Sequence, residues 1–141
     1  MLAQVRERAR KAKGWQRGFT LIEMMVVMAI ISILLTIALP IYQKSLIRAK
    51  ESVLRKNLFT IRSMIDEYTI GKQKAPGSLQ ELVSEGYLRQ VPQDPMTNSD
   101  STWRIIMEET PVGGGTSSPG IFDVKSGSEK TSLEGTPYSE W

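Results

Sequence analysis

The chain has 141 residues, 40% apolar and 23% charged, a size that fits one domain with an appendage. It has no cysteine and no histidine, which excludes disulfide staples, thiol and imidazole catalysis, and histidine metal sites. The formal charge of +3 is unevenly spread: residues 1–18 carry Arg6, Arg8, Arg10, Lys11, Lys13 and Arg17 against Glu7 alone, and the remainder has 12 basic and 14 acidic residues, so the basic character marks a leader and not a nucleic-acid surface.

Phe19 to Leu39 reads FTLIEMMVVMAIISILLTIAL, 21 residues with one charge, Glu23. As a helix it spans roughly 30 Å, the hydrocarbon thickness of a bilayer. Ser32 and Thr36 are its later polar residues, and their hydroxyls can bond back to helix carbonyls. The stretch is too long for the apolar region of a cleaved secretory signal, and no small-residue cleavage site follows it. The cationic flank at 1–18 predicts a cytoplasmic N-terminus and an extracytoplasmic C-terminal region. Glu23 is the anomaly, because a carboxylate in an apolar span costs about 2.5–3.5 kcal/mol. Either it sits near the headgroups at the helix start, or it meets a cation that is not in this span.

The residues Arg17-Gly18-Phe19-Thr20-Leu21-Ile22-Glu23 resemble the leader junction of type IV pilin-like proteins, which include pilins and the pseudopilins of type II secretion. The resemblance implies cleavage between Gly18 and Phe19 by a prepilin peptidase, which also N-methylates Phe19. It implies that Glu23 meets the N-terminal amine of an adjacent subunit. The leader is then lost and the apolar helix kept.

Pro40 predicts a kink and not an end. Beyond it, Leu54, Leu58, Ile61, Ile65 and Tyr68 step by three and four, one apolar stripe of an amphipathic helix. Lys50, Glu51, Arg55, Lys56, Arg62, Asp66 and Glu67 are expected on the other faces, with Gly71 as the stop. Ser78 and Glu81 form a capping box for a short helix closed by Gly86. Residues 87–95 read as an extended loop pinned by Pro92 and Pro95. The order Ser-Leu-Gln-Glu-Leu-Val, Gly-Tyr-Leu, Val-Pro-Gln-Asp-Pro resembles the G-type major pseudopilins, although Met96-Thr97 stands where that group has Trp-Gly.

Trp103 to Met107 and Ile121 to Lys125 read as strands, joined by a flexible connection containing Gly113-Gly114-Gly115. That triple glycine lacks the Lys-Ser/Thr of a phosphate loop. Residues 126–141 read as an irregular loop. G-type pseudopilins bind calcium at about this place, which points to Asp123 and Glu129, although the acid-rich pattern of that group is not reproduced.

The expected fold is α+β: a long N-terminal transmembrane and amphipathic helix packed on a small C-terminal antiparallel sheet. The expected organisation is a cleaved leader at 1–18, a transmembrane and filament-core helix at 19–39, its amphipathic continuation at 40–71 and an exported α+β region at 72–141. The resemblance implies a non-enzymatic pseudopilin of type II secretion at the bacterial inner membrane, forming a periplasmic homopolymer. Its implied partners are the prepilin peptidase and methyltransferase, an inner-membrane platform protein, an assembly ATPase, minor pseudopilins and membrane lipid, with no nucleic acid. No cofactor is required, and the resemblance adds a structural calcium ion. The alternatives are a true type IV pilin for adhesion, motility or DNA uptake, and a bitopic membrane-anchored binding protein that never polymerises.

Overall fold

The computed structural model describes residues 18–109 and 119–141. The basic leader residues 1–17 and the triple glycine at 113–115 lie outside the described residues. Helix α1 runs Leu21–Lys72, followed by α2 at Leu79–Ser84, strands β1 at Arg104–Met107 and β2 at Ile121–Lys125, and a 3-10 turn at Tyr138–Glu140. The strands pair antiparallel in a two-stranded sheet. The fold is α+β, a long apolar N-terminal helix with a small antiparallel sheet.

The chain divides into two compact units, one ending at Leu39 and the other Pro40–Trp141. In the first, every described residue is exposed, and the helix is long and apolar enough to cross a membrane. Its hydroxyls are satisfied internally: Ser32 Oγ donates to the Met28 carbonyl and Thr36 Oγ1 to that of Ser32, each at 2.8 Å. Polar groups bonded in this way can enter hydrocarbon at little cost. α1 continues through Pro40.

The second unit is built on the expected stripe. Leu54, Leu58, Ile61, Ile65 and Tyr68 are buried with Leu79, Leu82, Leu88, Trp103, Ile121 and Val124. Truncating one such leucine to alanine costs about 2–5 kcal/mol. β2 supplies Ile121 and Val124 to this core, while all four residues of β1 stay exposed. A bulge between Ile106 and Met107 shifts the register of the pair. Trp103, expected to begin the strand, instead enters the core ahead of it, its Nε1 donating to the Pro92 carbonyl at 2.8 Å.

Three expectations are corrected. Gly71 is not the stop: α1 passes through it to Lys72, and Gln73 takes the left-handed conformation at φ 55°. Gln73 manages this because its Nε2 donates to the Ile70 carbonyl at 2.9 Å. Glycine at 71 serves packing, since a Cβ there would stand 3.1 Å from the Tyr87 hydroxyl. Glu51 does not lie on an outer face but is buried, 6% exposed. Residues 126–141 are not an irregular loop but a tied one, with an isolated bridge between Thr131 and Pro137 before the 3-10 turn. Gly127 permits this path, because a Cβ there would run into the Thr102 carbonyl.

α2 starts as its sequence dictates. Ser78 Oγ accepts from the Glu81 N–H at 3.2 Å. The Glu81 carboxylate turns back one residue further than a capping box requires, to the Gly77 N–H at 2.6 Å, and also accepts from the Tyr68 hydroxyl at 2.5 Å. Those two bonds hold the Glu81 carboxyl below the usual carboxylate range, with the Tyr68 bond the larger cause. The same contact pushes Tyr68 up to about 12.

Candidate processing and assembly site

Gly18, Phe19 and Thr20 precede α1, outside any helix or strand, and all three are exposed. The first turn is closed reciprocally. Thr20 Oγ1 accepts from the Glu23 N–H at 3.2 Å, and Glu23 Oε2 accepts from the Thr20 N–H at 3.5 Å. This is a capping box, in which a Thr and an acid three residues later each satisfy an orphan donor of the helix start. Its signature is the spacing of Thr20-Leu21-Ile22-Glu23 in the sequence. Glu23 therefore has a local partner for one oxygen and takes part in no ion pair among the described residues.

Among the described residues nothing lies within 4 Å of a Cβ placed at Gly18. Packing among the described residues places no demand for glycine there. Phe19 presents its ring to solvent, and the bond between these two residues lies just ahead of the capped turn. The geometry thus offers an accessible peptide bond, an exposed aromatic and a carboxylate one turn along.

The two acids singled out for calcium each meet an arginine. Asp123 Oδ1 accepts from Arg62 Nε and from the Val124 N–H, each at 2.7 Å. Glu129 projects into solvent and meets Arg104 at 3.6 Å. Among the described residues no three acids gather into a group able to hold a metal ion. Calcium takes about six to eight oxygens, main-chain carbonyls among them, and these two acids alone do not supply that number.

The C-terminal segment is held by other means, through residues that no sequence motif singles out. Glu51 Oε1 accepts from the Leu133 N–H and from the Tyr138 hydroxyl, each at 2.8 Å. Burial, then the Glu51 bond, push Tyr138 up to about 12. Ser132 Oγ accepts from the N–H groups of Glu134 and Thr136 at 3.3 and 3.2 Å. Arg62 donates to the Val124 and Trp141 carbonyls as well as to Asp123. Arg55 lies 4.4 Å over the Trp141 ring and 3.3 Å from Glu134. Asp94, fully buried, accepts from the Met96 N–H, the Ser126 hydroxyl and the Gly127 N–H at 2.8, 2.6 and 3.2 Å.

Comparison with known proteins agrees with the first turn. Residues 16–39 match the model of the prokaryotic N-terminal methylation motif. The competence protein ComGC of Halalkalibacterium halodurans is 38% identical over 73 residues, covering 52% of this chain and 72% of that one. The type II secretion system core protein G of Klebsiella pneumoniae is 31% identical over 96 residues, 57% of this chain and 69% of that one. The chain belongs to the type IV pilin-like family. Within that family the type IV major fimbrial protein FimA of Dichelobacter nodosus is 41% identical over 63 residues, but this chain spans only 39% of its length. No solved structure matches the chain at comparable significance. Gly18, Phe19 and Glu23 fall inside the matched motif, and the calcium acids fall outside it.

Proposed function

We propose that the chain is a pseudopilin of a type II secretion system. It is cleaved after Gly18, methylated at Phe19 and drawn from the inner membrane into a helical homopolymer that drives export. The observation that carries this reading is the reach of the relationship to core protein G. It extends over 57% of this chain and 69% of that protein, where the fimbrial relationship covers 39% of FimA.

The first turn supports the processing step. A glycine that packing among the described residues does not require is explained by a protease pocket accepting no side chain before the cut. Cleavage would leave an ammonium on Phe19, and methylation would keep its charge. That cation suits the free valence of Glu23 in a neighbouring copy, because a paired charge recovers much of the cost of placing a carboxylate among apolar helices. The leader would face the cytoplasm and the Pro40–Trp141 unit the periplasm. Prepilin peptidase, a platform protein, an assembly ATPase and minor pseudopilins are the partners this requires. The chain carries no catalytic role in the scheme.

The match to ComGC favours a second reading, a competence filament subunit. Deleting the gene in its host separates the two. Loss of protein release with intact transformation supports the secretion role, and loss of transformation with intact release supports competence. Intact-mass analysis of the membrane-extracted chain should find methylated Phe19 at its start. A chain retaining residues 1–18 overturns the processing step.

A further inference from the structure

Past the apolar span the chain turns basic at once. Lys44, Arg48 and Lys50 follow Leu39 within eleven residues, and no acid stands between Glu23 and Glu51. Glu51 does not answer them: it is buried and bonded to the Leu133 N–H and the Tyr138 hydroxyl. Lys44 and Arg48 are exposed and Lys50 is half-buried. None of the three takes part in an ion pair among the described residues. Ile41, Tyr42, Leu46 and Ile47 stand exposed among them.

Insertion does not explain these cations. The basic leader sets the orientation, and a cationic flank at the other end of the span works against it. A single partner docked on one side does not explain them either. Lys44 and Arg48 lie one turn apart on one side of α1, while Lys50, two residues after Arg48, faces nearly the other way. Charges on several sides, with bare apolar side chains and a tyrosine between them, suit a layer that surrounds the helix.

The chain keeps these residues close to such a layer. Helical rise separates Lys44 from Leu39 by about 8 Å and Lys50 by about 16 Å, and a headgroup layer is about 5–8 Å deep. Helical side chains lean toward the N-terminus of their helix, here back toward the span. The long stems of lysine and arginine carry the charge further that way while covering apolar surface. Attraction to an anionic surface reaches about 8 Å beyond it.

We propose that Lys44, Arg48 and Lys50 form a belt that binds the phosphate groups of anionic phospholipids around α1 where it leaves the bilayer. Once the leader is removed, these are the side-chain cations nearest the span, and the belt holds the mature chain to the membrane surface. The proposal rests on residues 19–39 spanning a membrane and is independent of the secretion role.

The test uses the full chain purified from the membranes of its host and reconstituted in phosphatidylcholine vesicles with trace spin-labelled phosphatidylglycerol or phosphatidylcholine. Paramagnetic resonance reads the fraction of each lipid held against the protein. Wild type should prefer phosphatidylglycerol. Changing Lys44, Arg48 and Lys50 together to Gln should lower that preference about fivefold or more, since each basic residue near anionic headgroups contributes about that factor. The same change at Lys56, Lys72 and Lys74, which lie 17 to 35 residues past Leu39, should leave it intact. An undiminished preference in the first variant, or an equal loss in the second, would overturn the belt. Release of the wild-type chain from vesicles by alkaline carbonate would overturn the membrane span itself, and the belt with it.

Discussion

Glu51 and Tyr138 are 87 residues apart in the chain and meet in a buried 2.8 Å hydrogen bond, hydroxyl to carboxylate. The bond ties the middle of α1 to the 3-10 turn. The second acceptor role of Glu51, toward the Leu133 N–H, ties the same helix position to the preceding turn. Glu51→Ala would orphan both donors at once. Leaving buried donors unsatisfied costs about 1–3 kcal/mol each, so the melting temperature of the detergent-solubilised chain should fall by roughly 10 °C or more. Glu51→Gln keeps an acceptor oxygen and should lose much less. Equal melting of Glu51→Ala and wild type would show the clamp to be idle.

Asp94 gathers three donors from two segments. Hydrogen bonds to a charged acceptor contribute about 1.5–3 kcal/mol. Asp94→Ala is expected to destabilise the Pro40–Trp141 unit by about 3 kcal/mol and Ser126→Ala by about 1 kcal/mol. The double variant should lose less than the sum, because both changes cut the same bond. Denaturant unfolding of the three variants measures this, and strict additivity would refute the shared network.

Tyrosine ionisation gives a pH signature. Tyr68 and Tyr138 are held near 12, above the ordinary value of 10. A raised folded value means that the native state keeps its protons longer than the unfolded chain. The stability these groups contribute is therefore complete below pH 10 and is lost as pH rises through about 12. Tyrosinate absorbance should show two of the four tyrosines ionising together with unfolding. Tyr138→Phe should flatten part of the alkaline loss. Four tyrosines titrating before any unfolding would contradict both contacts.

Calcium offers a sharp negative test. Asp123 is committed to Arg62 and Glu129 to Arg104, so added calcium or a chelator should leave the melting temperature unchanged. A site that did bind would stabilise by about 2.7 kcal/mol at a hundredfold excess over its dissociation constant. A shift of that size would mean that Arg62 releases Asp123 on binding.

Glu23→Ala separates assembly from insertion. It removes a charge from an apolar span, so the membrane pool should be equal or larger. It also removes the partner proposed for the neighbour's Phe19 ammonium, leaving a cation that costs several kcal/mol unpaired, roughly 3 or more per subunit. Sheared-filament yield should collapse while monomer persists. Because Glu23 also closes the capping box, Glu23→Gln serves as the control: it keeps the cap and loses the charge. Normal filaments from Glu23→Gln would show that capping is the part that matters.

The elements whose signals are local are legible in the sequence. The stripe from Leu54 to Tyr68, the Ser78 cap and the strand at Ile121–Lys125 each announce themselves within one or two turns of chain. The clamps are not, because Glu51, Arg62 and Asp94 find partners 32 to 87 residues away. Glu51 nonetheless leaves a trace. It stands three residues before Leu54 and so continues the core stripe by one step. A charge on a core stripe needs buried donors, so its position alone implies distant partners. Gly71 misleads for the opposite reason: a helix stop and a tight side-chain approach both select glycine, and only Tyr87 distinguishes them.

The clamps also set the order in which the chain can become rigid. The Glu51 carboxylate, the Arg62 guanidinium and the Arg55 face all wait for residues 132–141. Contacts of such long sequence separation form late, because loop closure must be met before they repay it. A chain emerging N-terminus first would therefore hold its helix early and its core last. Until Tyr138 arrives, the part of α1 around Glu51 and Arg55 stays open to proteases and chaperones. Nascent chains stalled just short of residue 132 should be cut readily near Leu54, and chains released past Trp141 should resist.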